Sequence, residues 1–265
     1  MSTPAPTPLL APDEPPAVTV LNAEGRAPVL FLCDHASPRV PRSLDRPETG
    51  GFGVSAKDME RHIAYDIGAE AVTRILSEKF DAPAILSGYS RLVLDLNRAL
   101  DDGTSIPPVS DGTKVPANQH LSAAARAARI DALYHPYHNA IVEMLDGLKA
   151  RGTSPAIISM HSCTPVLAGF KRPWHIGVLW NEDGRIALPL MRALEAEGNL
   201  TVGDNEPYSG RDHDSHTIHR HAEARGLPHV LLEIRQDLIS DAAGVTAWAD
   251  RLTRVFRPIL LGGQP

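Results

Sequence analysis

Short apolar runs alternate with segments of helical periodicity along most of this chain. The periodic segments place apolar residues every three or four positions, as in Ile63, Ile67, Ala71 and Ile75. Such alternation predicts an α/β fold in which a mainly parallel sheet carries helices on both faces. The predicted strands are residues 18–22, 28–33, 82–86, 91–98, 156–160, 175–180, 200–203 and 229–235. The predicted helices are residues 58–79, 123–135, a second helix that follows it and stops at Gly152, 184–197, 218–224 and 245–261.

The first 16 residues have a different character. They contain six prolines, and proline lacks the backbone N–H and fixes φ, so this segment is expected to be a flexible or surface-draped tail. From residue 17 to residue 265 we find no internal repeat and no second composition regime. We therefore expect a single domain after the tail.

Three of the predicted strands end in polar side chains suited to catalysis. Residues 28–33 lead into Asp34 and His35, residues 156–160 lead into His161, and residues 229–235 carry Glu233 and Arg235. Ligands of open α/β sheets bind beyond the carboxyl ends of the strands. The pattern therefore predicts that these side chains meet in one site.

Composition excludes several classes of function. The formal net charge is -6, so no overall basic field is present to attract nucleic acid or an acidic membrane. No apolar stretch approaches the roughly 20 residues of a membrane helix, and no signal peptide is recognisable, which favours a cytoplasmic protein. Cys33 and Cys163 are too few for a disulfide framework and are expected to be thiols.

A zinc hydrolase needs three protein ligands of the histidine and carboxylate type. His35 and His161 are the candidate nitrogen donors, although either alone could be structural. Asp66 is the preferred third ligand, with Asp34, Asp58 and Glu60 as alternatives.

Glu233 is the candidate general base, because a carboxylate on an apolar strand needs a polar cavity or a cation beside it. A structural salt bridge to a neighbouring arginine is the alternative for this residue.

Arginines and an asparagine are the candidates for binding an acidic substrate. Asn97 and Arg98 together suit a carboxylate, which arginine binds in a bidentate manner. Arg91 and Arg235 are candidates for carboxylate binding or for stabilising the transition state, and each arginine could equally form a structural ion pair. Among the other histidines, His221 is the one expected to reach the site. Five more are expected at the surface or on helix faces, namely His135, His138, His213, His216 and His219.

Several motifs in the same order resemble the N-formylglutamate amidohydrolase family, over nearly all of residues 28 to 258. They are Cys33–Ser37 with Val40 and Pro41, His62–Gly68, Ser90–Arg98, Met160–Pro165, Arg172–Gly177, Asp204–Ser209 and Leu232–Leu238.

This resemblance implies the phosphorylase/hydrolase-like fold of the zinc carboxypeptidases, a three-layer αβα sandwich with a mainly parallel mixed sheet. It matches the zinc histidines to His35 and His161, the base to Glu233, and the carboxylate-binding pair to Asn97 and Arg98. Carboxypeptidases have a glutamate three residues after the first histidine, where this chain has Pro38. The third ligand must therefore come from elsewhere, and Asp66 is our choice.

The resemblance implies a bacterial, cytoplasmic enzyme of histidine degradation that uses one zinc per chain to hydrolyse the amide of an N-formyl or N-acyl amino acid. N-formyl-L-glutamate is the leading substrate. Its expected partner is therefore a small acidic molecule, with no nucleic acid or membrane, and the oligomeric state is not predicted. Two alternatives remain open: a metal-free binding protein on the same fold, favoured by Pro38, and a peptidase of short, cell-wall type peptides.

Overall fold

The computed structural model describes residues 8–45, 51–211 and 215–262 of the 265-residue chain. The strands are β1 (Val18–Leu21), β2 (Val29–Cys33), β3 (Ala84–Ser87), β4 (Val109–Ser110), β5 (Thr113–Lys114), β6 (Ala156–Cys163), β7 (Val166–Leu167), β8 (Phe170–Lys171), β9 (Ile176–Leu179), β10 (Val202–Asp204) and β11 (His229–Arg235). The helices are α1 (Ala56–Met59), α2 (Ala69–Phe80), α3 (Ala123–Arg129), α4 (His135–Ala150), α5 (Ala187–Glu195), α6 (His216–His221) and α7 (Ala242–Leu260). A π-helical turn, Ile130–Tyr134, joins α3 to α4. None of the helices in these ranges is both long and apolar enough to span a bilayer.

A mostly parallel mixed sheet forms the centre of the fold. Within the described ranges it has seven strands in the order β1-β3-β2-β6-β11-β9-β10. The pairs β1–β3 and β11–β9 are antiparallel, and the other neighbours are parallel. The predicted α/β class and the mainly parallel sheet are therefore confirmed.

Alternate residues of the buried strands pack on opposite faces of the sheet. On β2, Val29 and Phe31 belong to a core that includes Phe256 of α7. Leu30 and Leu32, the residues between them, belong to a second core with α4. Burying one such side chain contributes roughly 1.5–3 kcal/mol, so helices on both faces hold the central strands, and with them the site, in place.

Residues 91–98 do not form the predicted strand. They form a series of turns, in which Val93 N–H donates to Ser90 O (2.9 Å) and Arg98 N–H donates to Asp95 O (3.3 Å). The Asp95 carboxylate also accepts the N–H of Asn97 (2.9 Å), a local bond that competes with strand pairing. The alternation of apolar and polar residues reflects a turn that packs one side on the core.

The predicted helix over residues 58–79 is interrupted. Helix α1 ends at Met59, and α2 begins only at Ala69, after Gly68 with φ 79°. At Gly68 a side-chain carbon would overlap the backbone oxygen of Ile239, so glycine is required at this close approach. Asp66 is therefore not on a helix as predicted; it lies in the loop before α2, where its N–H donates to His35 O (2.9 Å).

The described part of the proline-rich tail lies against the rest of the protein. Leu9 is buried in the core on the α4 face. Ser43 Oγ donates to Leu9 O (2.6 Å), and Tyr89 Oη donates to Pro15 O (2.8 Å). Residues 1–7 of the predicted tail lie outside the described residues.

Candidate active site

The polar groups of the candidate site come from three neighbouring parallel strands. Strands β2, β6 and β11 lie side by side in the sheet. His35 follows β2 by two residues, His161 lies near the end of β6, and Glu233 lies near the end of β11. Because the three strands are parallel, their carboxyl ends reach the same edge of the sheet.

Two imidazoles meet one carboxylate at this edge. Nδ1 of His161 lies 2.8 Å from Oδ2 of Asp66, and Nδ1 of His35 lies 3.3 Å from the same oxygen. The potential ligand atoms of the three buried residues all lie within 4.8 Å of one another. Two histidine nitrogens with one carboxylate oxygen are a donor set of hydrolytic zinc sites. The residues present therefore fit a zinc ion.

The alternative third ligands lie elsewhere. Asp58 is in α1 and forms an ion pair with Arg61 (2.9 Å), and Glu60 is the residue that follows this helix. Asp34 is close to the histidines, but it contacts the far nitrogen of His161 rather than the nitrogen that faces Asp66. Of the four carboxylates considered from sequence, Asp66 is the one placed between the two histidines.

A carboxylate holds the outer nitrogen of each histidine. His35 Nε2 donates to Asp95 Oδ1 (2.7 Å), and His161 Nε2 donates to Asp34 Oδ2 (3.1 Å). Such outer hydrogen bonds fix the orientation of the ring and make the inner nitrogen more basic. They leave Nδ1 of both rings directed at Asp66.

The site keeps its carboxylates ionised. Burial would raise the pKa of Asp34 and Asp66, but the hydrogen bonds and charges of the two histidines hold both pKa values below the usual range. Burial would lower the pKa of His161, but the hydrogen bonds that its ring donates to Asp34 and Asp66 outweigh burial and raise the pKa to about 10. Anionic groups that stabilise positive charge on a histidine also stabilise a cation bound in place of the proton.

Glu233 has the opposite shift. Burial raises the pKa of its carboxyl to about 7, against the lowering effect of His161. Its Oε2 atom is buried and has no hydrogen-bond partner among the residues described. A carboxyl group poised near neutral pH with an unused oxygen has the properties of a general base.

Arg91 lies beside the group of His35, Asp66 and His161. Its guanidinium donates to Asp95 Oδ2 from Nη2 (2.7 Å) and from Nε (3.2 Å), and its Nη1 lies 3.5 Å from Asp66 Oδ1. Asp95 thus orients both His35 and Arg91. A cation fixed in this way can stabilise negative charge that develops on a substrate oxygen.

These side chains open on a small cavity of about 110 Å³. The cavity is lined by His35, His62, Asp66, Arg91, Asn97, Arg98, His161, Ser162, Cys163, Thr164, Leu179, Tyr208, Leu231 and Glu233. Both predicted carboxylate binders, Asn97 and Arg98, are in this lining. Thr217 N–H donates to Asn97 Oδ1 (2.9 Å), which fixes the orientation of this buried amide.

Two predicted substrate-binding residues do not line the cavity. Arg235 Nε donates to Asp237 Oδ1 (2.8 Å), and its Nη1 donates to the backbone oxygen of Arg172. His221 is fully buried under α4, where its Nε2 lies 2.8 Å from Nδ1 of His138 and the two rings stack. Helix α6 turns His221 away from the sheet edge, so the prediction that it reaches the site is not met.

The other histidines of that run lie apart from the site. His216 Nε2 is 2.7 Å from the Tyr134 hydroxyl, and His219 contacts Glu223. His213 lies outside the described residues.

Among the lining residues that sequence reasoning did not single out, His62 and Tyr208 have the largest polar side chains. His62 lies four residues before Asp66 in the 62–68 motif, and Tyr208 follows a proline in the 204–209 motif. Arg172 Nη2 donates to the Tyr208 hydroxyl (2.8 Å). No local pattern of charge or periodicity distinguishes either residue from a surface position; only the family motifs carry the signal.

The model of the N-formylglutamate amidohydrolase family matches residues 27–240. The chain belongs to this family. The match confirms the resemblance drawn from the motifs and, with it, the prediction that the chain is a hydrolase.

One curated relative and two solved structures are similar to the chain over most of its length. The chain is 26% identical to N-formylglutamate deformylase of Pseudomonas aeruginosa over 256 residues, which cover 89% of this chain and 91% of the relative. A solved structure of a gene product from Agrobacterium tumefaciens is 37% identical, with a TM-score of 0.90 and coverage of 96% of this chain and 98% of the other. The N-formylglutamate amidohydrolase of Ralstonia eutropha is 20% identical, with a TM-score of 0.62 over 92% and 97% of the two chains, and shows the shared fold.

Proposed function

We propose that this member of the family is a zinc-dependent hydrolase that removes the formyl group from an N-formylated acidic amino acid, with N-formyl-L-glutamate as the leading substrate. The observation that carries the proposal is the meeting of His35 and His161 on the Asp66 carboxylate, next to a buried glutamate. We also propose that the helices on both faces of the sheet form the three-layer arrangement of zinc carboxypeptidases.

His35, Asp66 and His161 would hold the zinc ion. When bound, the ion supplies a Lewis acid that acidifies water and polarises the substrate carbonyl. Glu233 takes a proton from the attacking water, because its carboxylate form is available near neutral pH. It then delivers this proton to the leaving nitrogen, which departs as the amine of the amino acid.

Arg91 and the Asn97–Arg98 pair act on the substrate. The Arg91 guanidinium, held by Asp95, stabilises negative charge on the carbonyl oxygen as water adds. Arg98, beside the amide of Asn97, binds a carboxylate of the amino acid. A cavity of about 110 Å³ favours a small acyl group such as formyl over the acyl side of a peptide.

The test is metal content and hydrolysis measured on the same preparations. We expect about one zinc per chain in the wild type and release of formate from N-formyl-L-glutamate, with little activity on a panel of dipeptides. His161→Ala should lose both zinc and activity. His229→Ala is the matched control, because His229 is equally buried but lies at the opposite end of β11. A wild type that binds no zinc after reconstitution, or that prefers dipeptides, would contradict the proposal.

A further inference from the structure

Thr217 connects Asp34, the carboxylate that contacts His161, to Asn97. It lies in the first turn of α6, is 1% exposed, and contributes two hydrogen bonds that lead to different parts of the site. Its backbone N–H donates to Asn97 Oδ1 (2.9 Å), and its hydroxyl donates to Asp34 Oδ1 (3.0 Å). Asn97 and Asp34 lie far from Thr217 in the sequence, so the fold has assembled this bridge.

The hydroxyl of Thr217 completes the contacts of Asp34. The other oxygen of this carboxylate, Oδ2, accepts from Nε2 of His161 (3.1 Å) and from Oγ of Ser159 (3.2 Å). The Asp34 side chain is fully buried, so water cannot replace a lost partner. The Thr217 hydroxyl therefore helps to set the plane of the carboxylate that orients His161.

The backbone N–H of Thr217 acts on the substrate side. It donates to the amide oxygen of Asn97 and so fixes the orientation of the amide group, with Oδ1 towards Thr217. A single residue of α6 thus sets the orientation of a ligand histidine through Asp34 and of the amide next to Arg98.

We infer that Thr217 is a positioning residue that aligns His161 for metal binding, through Asp34, and Asn97 for carboxylate binding. The inference rests on the proposed function and adds a role for α6, a helix that contributes no residue to the cavity lining.

The two bonds can be separated by mutation. Thr217→Val keeps the shape of the side chain and the backbone N–H but removes the hydroxyl, whereas Thr217→Ser keeps the hydroxyl. Zinc affinity, measured by competition with a chelator, should fall about tenfold in Thr217→Val, the scale typical of lost outer contacts, and should stay within about twofold of the wild type in Thr217→Ser. With saturating zinc, KM should change less than about twofold, because the N–H to Asn97 remains.

A matched control separates positioning from folding. Thr73 is equally buried, and its hydroxyl donates to Ala69 O (2.7 Å) in α2. Thr73→Val removes one buried hydroxyl bond of the same kind and should leave the zinc affinity unchanged. Equal zinc affinity in Thr217→Val and the wild type, or an equal loss in Thr73→Val, would overturn the inference.

A further measurement does not depend on zinc. In the metal-free protein, the imidazole Nε2–H proton of His161 should give a low-field NMR signal that shifts in Thr217→Val and returns in Thr217→Ser. If the wild type binds no zinc, the proposed function fails, but this comparison still decides the role of Thr217. An unchanged signal in Thr217→Val would overturn that role.

Discussion

Glu233 and His161 are paired residues of two neighbouring parallel strands, in direct register across β11 and β6. The sheet therefore fixes Glu233 beside His161, one of the two histidines that contact Asp66, without relying on a loop. Groups held by paired strands keep their separation closely, and a proton-transfer group needs this precision. The same register places Glu233 opposite Gly177 on its other neighbour, β9.

Replacing Glu233 by glutamine should abolish proton transfer but leave the group of His35, Asp66 and His161 intact. General acid–base catalysis contributes about 10²–10⁴-fold, so we expect kcat to fall by about 10³-fold in Glu233→Gln with the zinc content unchanged. Steady-state kinetics with elemental analysis of the same samples checks this. Glu197→Gln is the control, because Glu197 pairs with Arg251 and Arg254 away from the site. Loss of zinc in Glu233→Gln would instead identify Glu233 as a ligand.

The activity should rise with pH through about 7. Glu233 acts as a base only when ionised, and burial raises its pKa to about 7, so the base is mostly protonated at pH 6 and mostly ionised at pH 8. The profile of kcat/KM between pH 5 and pH 9 measures this rise. In Glu233→Gln the residual activity should not rise with pH in this range. If the same rise persists in the variant, a group other than Glu233 causes it.

Glu233 should also lower the stability of the metal-free protein at alkaline pH. Its pKa is raised from 4.5 to about 7 on folding. Below pH 4.5 the carboxyl is protonated in the folded and the unfolded state and does not affect the free energy of unfolding. Between pH 4.5 and 7 the free energy of unfolding falls, and above pH 7 the full loss of about 3 kcal/mol is reached. Urea unfolding should show Glu233→Gln more stable than the wild type at pH 8 and equal to it near pH 4.5. An equal stability difference at both pH values would contradict the assignment.

Sequence patterns predicted the central strands well because burial on both faces leaves a clear apolar run. Strands β2 and β11 begin and end within a residue of the predicted 28–33 and 229–235, and their terminal polar groups do meet at one edge. The sequence position of His35 and His161 after such runs was therefore enough to place both histidines.

Local patterns that resemble a strand or a site residue without forming one were not predictable in the same way. Residues 91–98 alternate like a strand, but the N–H of Arg91 donates to Ala64 O (3.2 Å) and the N–H of Asp95 donates to Ser105 O (2.8 Å), and these long-range contacts exist only in the folded protein. Sequence reasoning expects His221 to reach the site, but its ring is directed towards His138 by helix packing. In both cases tertiary contacts decide between local patterns that are equally probable from sequence.

The third metal ligand can be identified by two matched substitutions. Asp66→Asn removes the negative charge of the carboxylate that contacts Nδ1 of both His35 and His161. Asp58→Asn removes a carboxylate of α1 that forms an ion pair with Arg61. We expect zinc affinity to fall at least about tenfold in Asp66→Asn and to stay unchanged in Asp58→Asn. Competition with a chelator measures both. Retention of wild-type affinity by Asp66→Asn would exclude Asp66 as the ligand.

Arg98 should determine the affinity for the acidic part of the substrate. A hydrogen bond to a charged group contributes about 1.5–3 kcal/mol, so Arg98→Ala should raise KM for N-formyl-L-glutamate about 10- to 100-fold with a smaller effect on kcat. Arg235→Ala is the control, since its guanidinium is engaged by Asp237 outside the cavity, and its KM should not change.

N-formyl-L-glutamine and N-formyl-4-aminobutyrate each lack one carboxylate of the substrate. The analogue that lacks the carboxylate bound by Arg98 should be poor for the wild type and no worse for Arg98→Ala. If Arg98→Ala weakens both analogues as much as the parent substrate, the carboxylate is bound elsewhere and Arg98 acts on the fold of the 91–98 turns.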